Sequence, residues 1–258
     1  MDAFYLREGD YFQATENTIG PWHPKLQHAG PPSALLGRAL ERAAPDLQLV
    51  RFSVDLLKPV PVTRLKIVHR VVTPGKRRQL LEASLLTVAD DLLVARAQAL
   101  FLRQQAIPLE NLPVHDGPAP CSPAIATPFQ FQFFNTEVGY HTAMELRLAS
   151  GGVGTGKTQM WGRQRVALVA DEPPSPLQRL LVIADSGNGV SMVVDKSRYS
   201  FANPDLTVNM RRPPQGEWIC LDAQTHFQAN GLGMAESRLW DEQGVVANGT
   251  QNLLLEQV

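Results

Sequence analysis

Only two cysteines occur in 258 residues, Cys121 and Cys220. They lie far apart with no C-x-x-C spacing, which reads as two unpaired thiols of a reducing compartment and leaves a single disulfide open. Charge of either sign is also missing in excess: 24 Lys+Arg face 25 Asp+Glu, a formal net charge of −1. A general nucleic-acid binder carries a basic surplus to neutralise phosphates, so that class is set aside. No apolar run approaches the ~20 residues that cross a bilayer. The longest, "RLLVIAD" at 179–185, is far too short. The N-terminal "MDAFYLREGDYF" is broken by charge and does not read as a signal peptide. A soluble, cytoplasmic protein is expected. With 44% hydrophobic and 19% charged residues, the chain is globular and long enough for one large domain or two small ones.

Residues 151–158, "GGVGTGKT", satisfy the phosphate-loop pattern G-x-x-x-x-G-K-[ST] letter for letter. That loop works only between a buried strand and a helix whose N-terminal amides face the phosphates. Here "QMWGRQRVALVADEPPSP" follows, without a run of helix formers and ending in prolines, while the alternating "GYHTAMELRLAS" precedes. The stretch predicts strand, glycine-rich turn, strand: a hairpin rather than a nucleotide site.

Residues 104–128 hold six prolines and little periodicity. Proline removes backbone donors and resists helix and central strand alike, so this stretch predicts a surface linker between a unit at 1–103 and a unit at 129–258. The two halves echo one another. The first has a short strand near Tyr11–Ala14, a loop "GPWHPKLQHAG", a helix over "PPSALLGRALERAAPD", and four strands, "LVRFSVDLL", "RLKIVHRVVT", "QLLEASLLTVA" and "LLVARAQALFLRQ". Pro31 and Pro32 open that helix, and Ala34, Leu35, Ala39 and Leu40 share one face. The second half offers strands in "TPFQFQFFN", "GYHTAMELRL" and "TQMWGRQRVAL", then a helix "SPLQRLLVIADSG" with Ser175 as N-cap. Strands return in "GVSMVVD", "DLTVNMR", "GEWICLDAQTHFQ", "GMAESRLWD" and "GVVANGTQNLLLEQ". Lys58-Pro59 matches Arg212-Pro213, Glu82–Leu85 matches Glu236–Leu239, and "LLVARAQALFL" parallels "GVVANGTQNLLL". In the same order, these echoes indicate a tandem repeat of one buried helix wrapped by a long antiparallel sheet, an α+β architecture whose units can pair edge to edge.

"HAGPPSALLG" at a helix start, the proline-rich middle, "SPLQRLLVIADSGNG", "NPDLTVNMRRPPQGEW" and "DEQGVVANGTQNLLL" together resemble the double-hotdog acyl-CoA thioesterases, the thioesterase II branch above all. The resemblance covers nearly the whole chain and is strongest over 175–256. It implies hydrolysis of an acyl-CoA to free acid and CoA without metal or other cofactor. It further implies a water held by an aspartate, a threonine and a glutamine of the second unit. Asp185 in "VIADSGN" matches the aspartate and Gln251 in "NGTQNLL" the glutamine. Counting back from Arg212-Pro213, the threonine position is Asn203, whose amide can still hydrogen-bond a water; Thr207 is nearby but off the count.

Thioester hydrolysis needs a water activated by a base and donors aimed at the carbonyl oxygen as it gains charge. Asp185 follows Leu180–Ala184 near a helix C-terminus, where the dipole disfavours negative charge by ~0.3–1 kcal/mol, a direction that suits a general base. Its plainer reading is a turn residue opening "DSGNG". Gln251 sits in an apolar strand, facing either a partner or solvent; Asn203 is either a water ligand or a turn residue before Pro204. In the loop "QHAGPPS", His28 is a substrate contact or a loop anchor. Gly30 would admit a close ligand, and only Gly30 and Ser33 offer amide donors beside the two prolines. The basic runs "GKRRQ" at 75–79 and "RRP" at 211–213 are CoA-phosphate contacts or solvated turns. Two alternatives share the fold. A hydratase of the hotdog type pairs an aspartate with a histidine five positions on, but that place after Asp185 is Val190. A non-catalytic acyl-binding protein would keep the cavity and lose part of the water site. Homodimerisation stays open.

Overall fold

The computed structural model describes residues 2–110 and 116–258; residues 111–115 of the proline-rich stretch lie outside the described residues. The first half begins with β1 (Ala3–Glu8) and β2 (Tyr11–Ala14), continues through α1 (Gly30–Ala43), and returns in β3 (Gln48–Leu56), β4 (Arg64–Thr73), β5 (Arg78–Thr87) and β6 (Leu93–Leu102). The second half opens with β7 (Thr127–Phe129), a single turn α2 (Tyr140–Ala143), β8 (Met144–Gly151), β9 (Lys157–Gln164) and β10 (Ala167–Val169). Then come α3 (Pro176–Ala184), the short turn α4 (Gly187–Val190), β11 (Tyr199–Ala202), β12 (Asp205–Met210), β13 (Ile219–Phe227), β14 (Leu232–Asp241) and β15 (Gly244–Gln257).

All strands belong to one continuous, unclosed sheet in the order β10-β1-β2-β4-β5-β6-β3-β12-β15-β14-β13-β9-β8-β7, with β11 pairing β15. Around the central pair β3–β12 the order is mirrored, β4-β5-β6-β3 against β12-β15-β14-β13. This is the double-hotdog arrangement expected from the duplicated sequence. Glu82–Leu85 and Glu236–Leu239 indeed occupy equivalent strands, β5 and β14. The junction buries two otherwise exposed edges. There Val54 faces Leu206 and Phe52 faces Val208, all but out of reach of water, and the Ser53 and Thr207 hydroxyls share a hydrogen bond of 3.0 Å.

The sheet curls around α1 and α3, which pack on each other. In α3, Leu180, Leu181, Val182 and Ile183 are each 0% exposed, contributing on the order of 1.5–3 kcal/mol per side chain. An apolar stretch this complete belongs at the centre of a core rather than on a surface face. Ser175 caps the helix, its hydroxyl accepting from the Gln178 amide at 3.2 Å. The helices approach closely because α1 carries glycines where they cross. A Cβ on Gly30 would lie 2.1 Å from the Val182 carbonyl oxygen, and one on Gly37 2.3 Å from Leu181 Cδ1.

Three sequence expectations are corrected. "GVSMVVD" forms no strand: α4 takes its first residues, and a turn follows, because β-branched residues favour strands only where a pleated partner surface exists. Of "TPFQFQFFN", only Thr127–Phe129 pairs, with β8. "GYHTAMELRL" starts as the turn α2 before becoming β8. The "GGVGTGKT" stretch links β8 to β9 as a hairpin turn, with Gly151, Gly154 and Gly156 at positive φ. No helix begins there, so the amides that a phosphate would need are not presented. Among the described residues no helix is long and apolar enough to cross a membrane.

Candidate active site

Asp185 ends α3 as its C-cap, and α4 begins two residues later. The carboxylate is only 4% exposed, a costly place for charge unless donors meet it. Two do, both at Oδ1: Asn203 Nδ2 at 2.8 Å and Gln251 Nε2 at 3.1 Å. Gln251 Nε2 also donates to the Asp185 backbone carbonyl at 3.0 Å. Gln251 Oε1 accepts from the Asn188 amide at 3.1 Å, and Asn188 Nδ2 donates to Asn203 Oδ1 at 3.3 Å. A ring of four polar side chains thus orients one carboxylate oxygen and leaves Oδ2 apart from it. His28 Nδ1 lies 3.4 Å from Oδ2.

The strand β15 sets Gln251 by alternation. Gly249, Gln251 and Leu253 face inward, while Thr250 and Asn252 face solvent, so the inward choice left open by the sequence falls to the glutamine. Gly187 makes room for it: a Cβ there would lie 3.0 Å from Gln251 Oε1 and 2.6 Å from Ser237 Oγ.

His28 precedes α1 by two residues and accepts, at Nδ1, the Gly30 amide at 3.0 Å. Its ring stacks on Tyr140, centroids 3.8 Å apart and planes 4° from parallel. Tyr140 donates to the Val182 carbonyl at 3.1 Å and shares a 2.8 Å hydrogen bond with Ser186 Oγ. Burial pushes the His28 imidazole below its usual pKa, although the neighbouring Asp185 charge pulls the other way. Burial likewise raises the Tyr140 phenol. Both shifts favour the uncharged ring.

Asp185, Asn203 and His28 lie on the wall of a cavity of about 360 Å³, large enough for an apolar ligand segment. Its remaining wall is largely apolar, with Trp22, Phe131, Phe133, Phe134 and Phe201 among the lining. Lys196 reaches over the Phe133 ring, Nζ 3.2 Å from the centroid, and over Trp22 at 5.2 Å. Burial lowers its pKa to about 8.

The structure thus brings Asp185, Gln251, Asn203 and His28 together. Three other candidate residues are engaged elsewhere. Gly30 admits the neighbouring helix rather than a ligand, and its amide is taken by His28. Ser33 is buried within α1, its amide (3.1 Å) and hydroxyl (2.7 Å) both spent on the Ala29 carbonyl. Thr207 sits on β12, its hydroxyl sharing a hydrogen bond with Ser53 across the seam, and it is not among the residues lining the cavity. Of the basic runs, Arg212 is held by Asp241 through two hydrogen bonds, 2.6 and 2.7 Å, and Lys76 and Arg77 lie exposed between β4 and β5, with Arg78 exposed at the start of β5. Sequence reasoning missed Asn188, hidden within a glycine-rich turn, and the phenylalanines of "FQFF", whose alternation imitates a strand. Among the described residues no cluster of three or more His, Cys, Asp or Glu is arranged to hold a metal ion.

A profile described as the acyl-CoA thioesterase N-terminal domain matches residues 18–102, and one described as the acyl-CoA thioesterase C-terminal domain matches residues 110–255. No curated protein matches the sequence. Among solved structures, a candidate thioesterase from Novosphingobium aromaticivorans is 19% identical, with TM-score 0.76, covering 99% of this chain and 100% of that one. A hot dog fold protein of unknown function from Alicyclobacillus acidocaldarius is 17% identical, TM-score 0.74, covering 98% and 95%. An acyl-CoA thioesterase II from Mycobacterium marinum is 15% identical, TM-score 0.64, covering 97% and 93%. At these identities the likeness to solved structures carries the fold.

Proposed function

The chain belongs to the acyl-CoA thioesterase family, and from that premise we propose that it hydrolyses an acyl-CoA thioester to the free acid and CoA, in the cytoplasm. The observation that carries the reading is the buried Asp185 carboxylate on the wall of an apolar cavity, fixed through Oδ1 with Oδ2 outside the donor ring. In this reading the acyl group lies against the aromatic lining, and a water sits at Asp185 Oδ2. Asn203 takes the place of the family's threonine.

Asp185 accepts a proton from the water as its oxygen bonds to the thioester carbon, and the C=O pair moves onto the carbonyl oxygen. Collapse of that tetrahedral species restores the C=O bond and breaks C–S. The departing sulfur takes the proton back from Asp185, leaving the acid and a thiol. Asn203 and Gln251 keep the carboxylate oriented through both proton transfers, and the largely apolar lining strengthens each of these interactions.

The test is a thiol-release assay over acyl-CoAs of graded chain length, run beside Asp185→Asn. Loss of turnover with retained binding of an acyl-CoA thioether is expected; undiminished turnover in that variant refutes the base. One observation favours a second reading: His28 and Asp185 meet in space although their spacing in the chain forbids the hydratase pattern. Hydration of a 2-enoyl-CoA without release of thiol, in the same assay, distinguishes it.

A further inference from the structure

We propose that His28 is itself catalytic: the neutral imidazole donates its Nε2–H to the thioester carbonyl oxygen and stabilises the charge that builds there. This rests on the hydrolytic reading of the Asp185 site. A carboxylate that activates water is half of acyl transfer; the other half is a donor placed where the oxyanion forms. The start of the buried helix α1 is one source of such donors, because the first amides of a helix lack intrahelical acceptors. Here those donors are spent or missing. Pro31 and Pro32 have no N–H, the Gly30 amide goes to His28 Nδ1, and the Ser33 amide goes to the Ala29 carbonyl. The first turn of α1 therefore delivers its donor capacity through the imidazole.

The tautomer follows from the hydrogen bond. A ring nitrogen that accepts cannot carry the proton, so with Nδ1 accepting from Gly30 at 3.0 Å the neutral ring holds its hydrogen on Nε2. The positive end of the 14-residue α1 also disfavours a second proton on the ring. Nε2 has no protein partner among the described residues and is not closed off from open space, and His28 lines the cavity. Orientation is fixed on the other side by the stack on Tyr140, itself anchored to Val182 and Ser186. Asp185 Oδ2, the oxygen assigned to the water, is 3.4 Å from Nδ1. The carboxylate and the imidazole therefore stand side by side on the wall of one cavity, so that a single bound thioester can face both. His28 gives up no proton in this role; the hydrogen bond tightens as the C=O pair moves to oxygen.

The experiment compares wild type with His28→Phe, which can keep the stack, and His28→Gln, which restores an amide N–H. Thiol release is measured beside binding of a non-hydrolysable acyl-CoA thioether. His28→Phe is expected to lose about 10²–10³ in kcat with little change in thioether affinity, and His28→Gln to recover part of it. ¹⁵N spectra of the wild type at neutral pH are expected to show the proton on Nε2. A His28→Phe enzyme as fast as wild type, a His28→Gln enzyme no better than it, or a proton on Nδ1 overturns the proposal. If wild type turns over and only these outcomes disappoint, hydrolysis stands without His28; if wild type releases no thiol from any acyl-CoA, both readings fall.

Discussion

Asn203 is where this chain departs from the threonine of the family pattern it resembles, and replacing it isolates what the amide does. Its Nδ2 donates to Asp185 Oδ1 at 2.8 Å. A hydrogen bond to a charged group contributes about 1.5–3 kcal/mol. Asn203 is only half-buried, so water partly replaces a lost amide, and Gln251 still holds the same oxygen at 3.1 Å. The lower half of the range applies, about 1.5–2 kcal/mol, or a ~10–30-fold loss of kcat/KM in Asn203→Ala at 1.36 kcal/mol per tenfold. Asn203→Asp replaces the donor with a second carboxylate against Asp185 and should fall below the alanine variant. Asn203→Thr, with one hydroxyl donor, should lie between alanine and wild type. Continuous thiol release on one good acyl-CoA substrate, with melting curves to show that each variant is folded, decides the ranking. An alanine variant at the wild-type rate, or an aspartate variant equal to wild type, refutes the role given to the amide.

Gly30→Ala forces a Cβ to within 2.1 Å of the Val182 carbonyl oxygen. Both are backbone-fixed, so the α1–α3 crossing must open at a cost of about 1–3 kcal/mol; a melting temperature lowered by several degrees is expected, and an unchanged one contradicts the close crossing. Acid should weaken the fold through His28. Its folded pKa lies below the ordinary 6.5, so the unfolded chain takes up the proton first. The stabilising contribution is therefore complete above about pH 6.5 and lost as pH falls through the folded value. Denaturant midpoints at pH 7.5 and below pH 6 should differ less in His28→Gln than in wild type. A residual slope is expected from His141, whose pKa burial also lowers.

What could be read from the sequence was the part written in local patterns. The duplicated order of helix and strands, the Ser175 cap and the long strands β12 to β15 all follow from periodicity and capping, and the structure keeps them. β1 was missed because "AFYLRE" buries three residues in succession and then exposes three, which is neither alternation nor a clean apolar run. "QFQFF" misled in the opposite sense: its phenylalanines alternate as a strand would, yet their place is the cavity wall, a role only tertiary contacts assign. The site itself was half legible. Asp185, Asn203 and Gln251 stood out through the resemblance to the thioesterase II pattern and through nothing in their local sequence. That His28 of the first half meets Asp185 of the second is a consequence of helix packing, and Asn188 disappeared into a segment whose composition says only turn.

The mirrored sheet carries a stoichiometric consequence. Across the β3–β12 seam, Ser53 pairs with Gln98 on β6 just as Thr207 pairs with Thr250 on β15, so the next residue on each strand, Ala99 and Gln251, are counterparts. Both are buried, but only the second bears an amide. The pseudo-symmetric twin position therefore carries a methyl group and cannot hold a carboxylate as Gln251 does, so an active-site titration of the proposed hydrolase should count one equivalent per polypeptide rather than two.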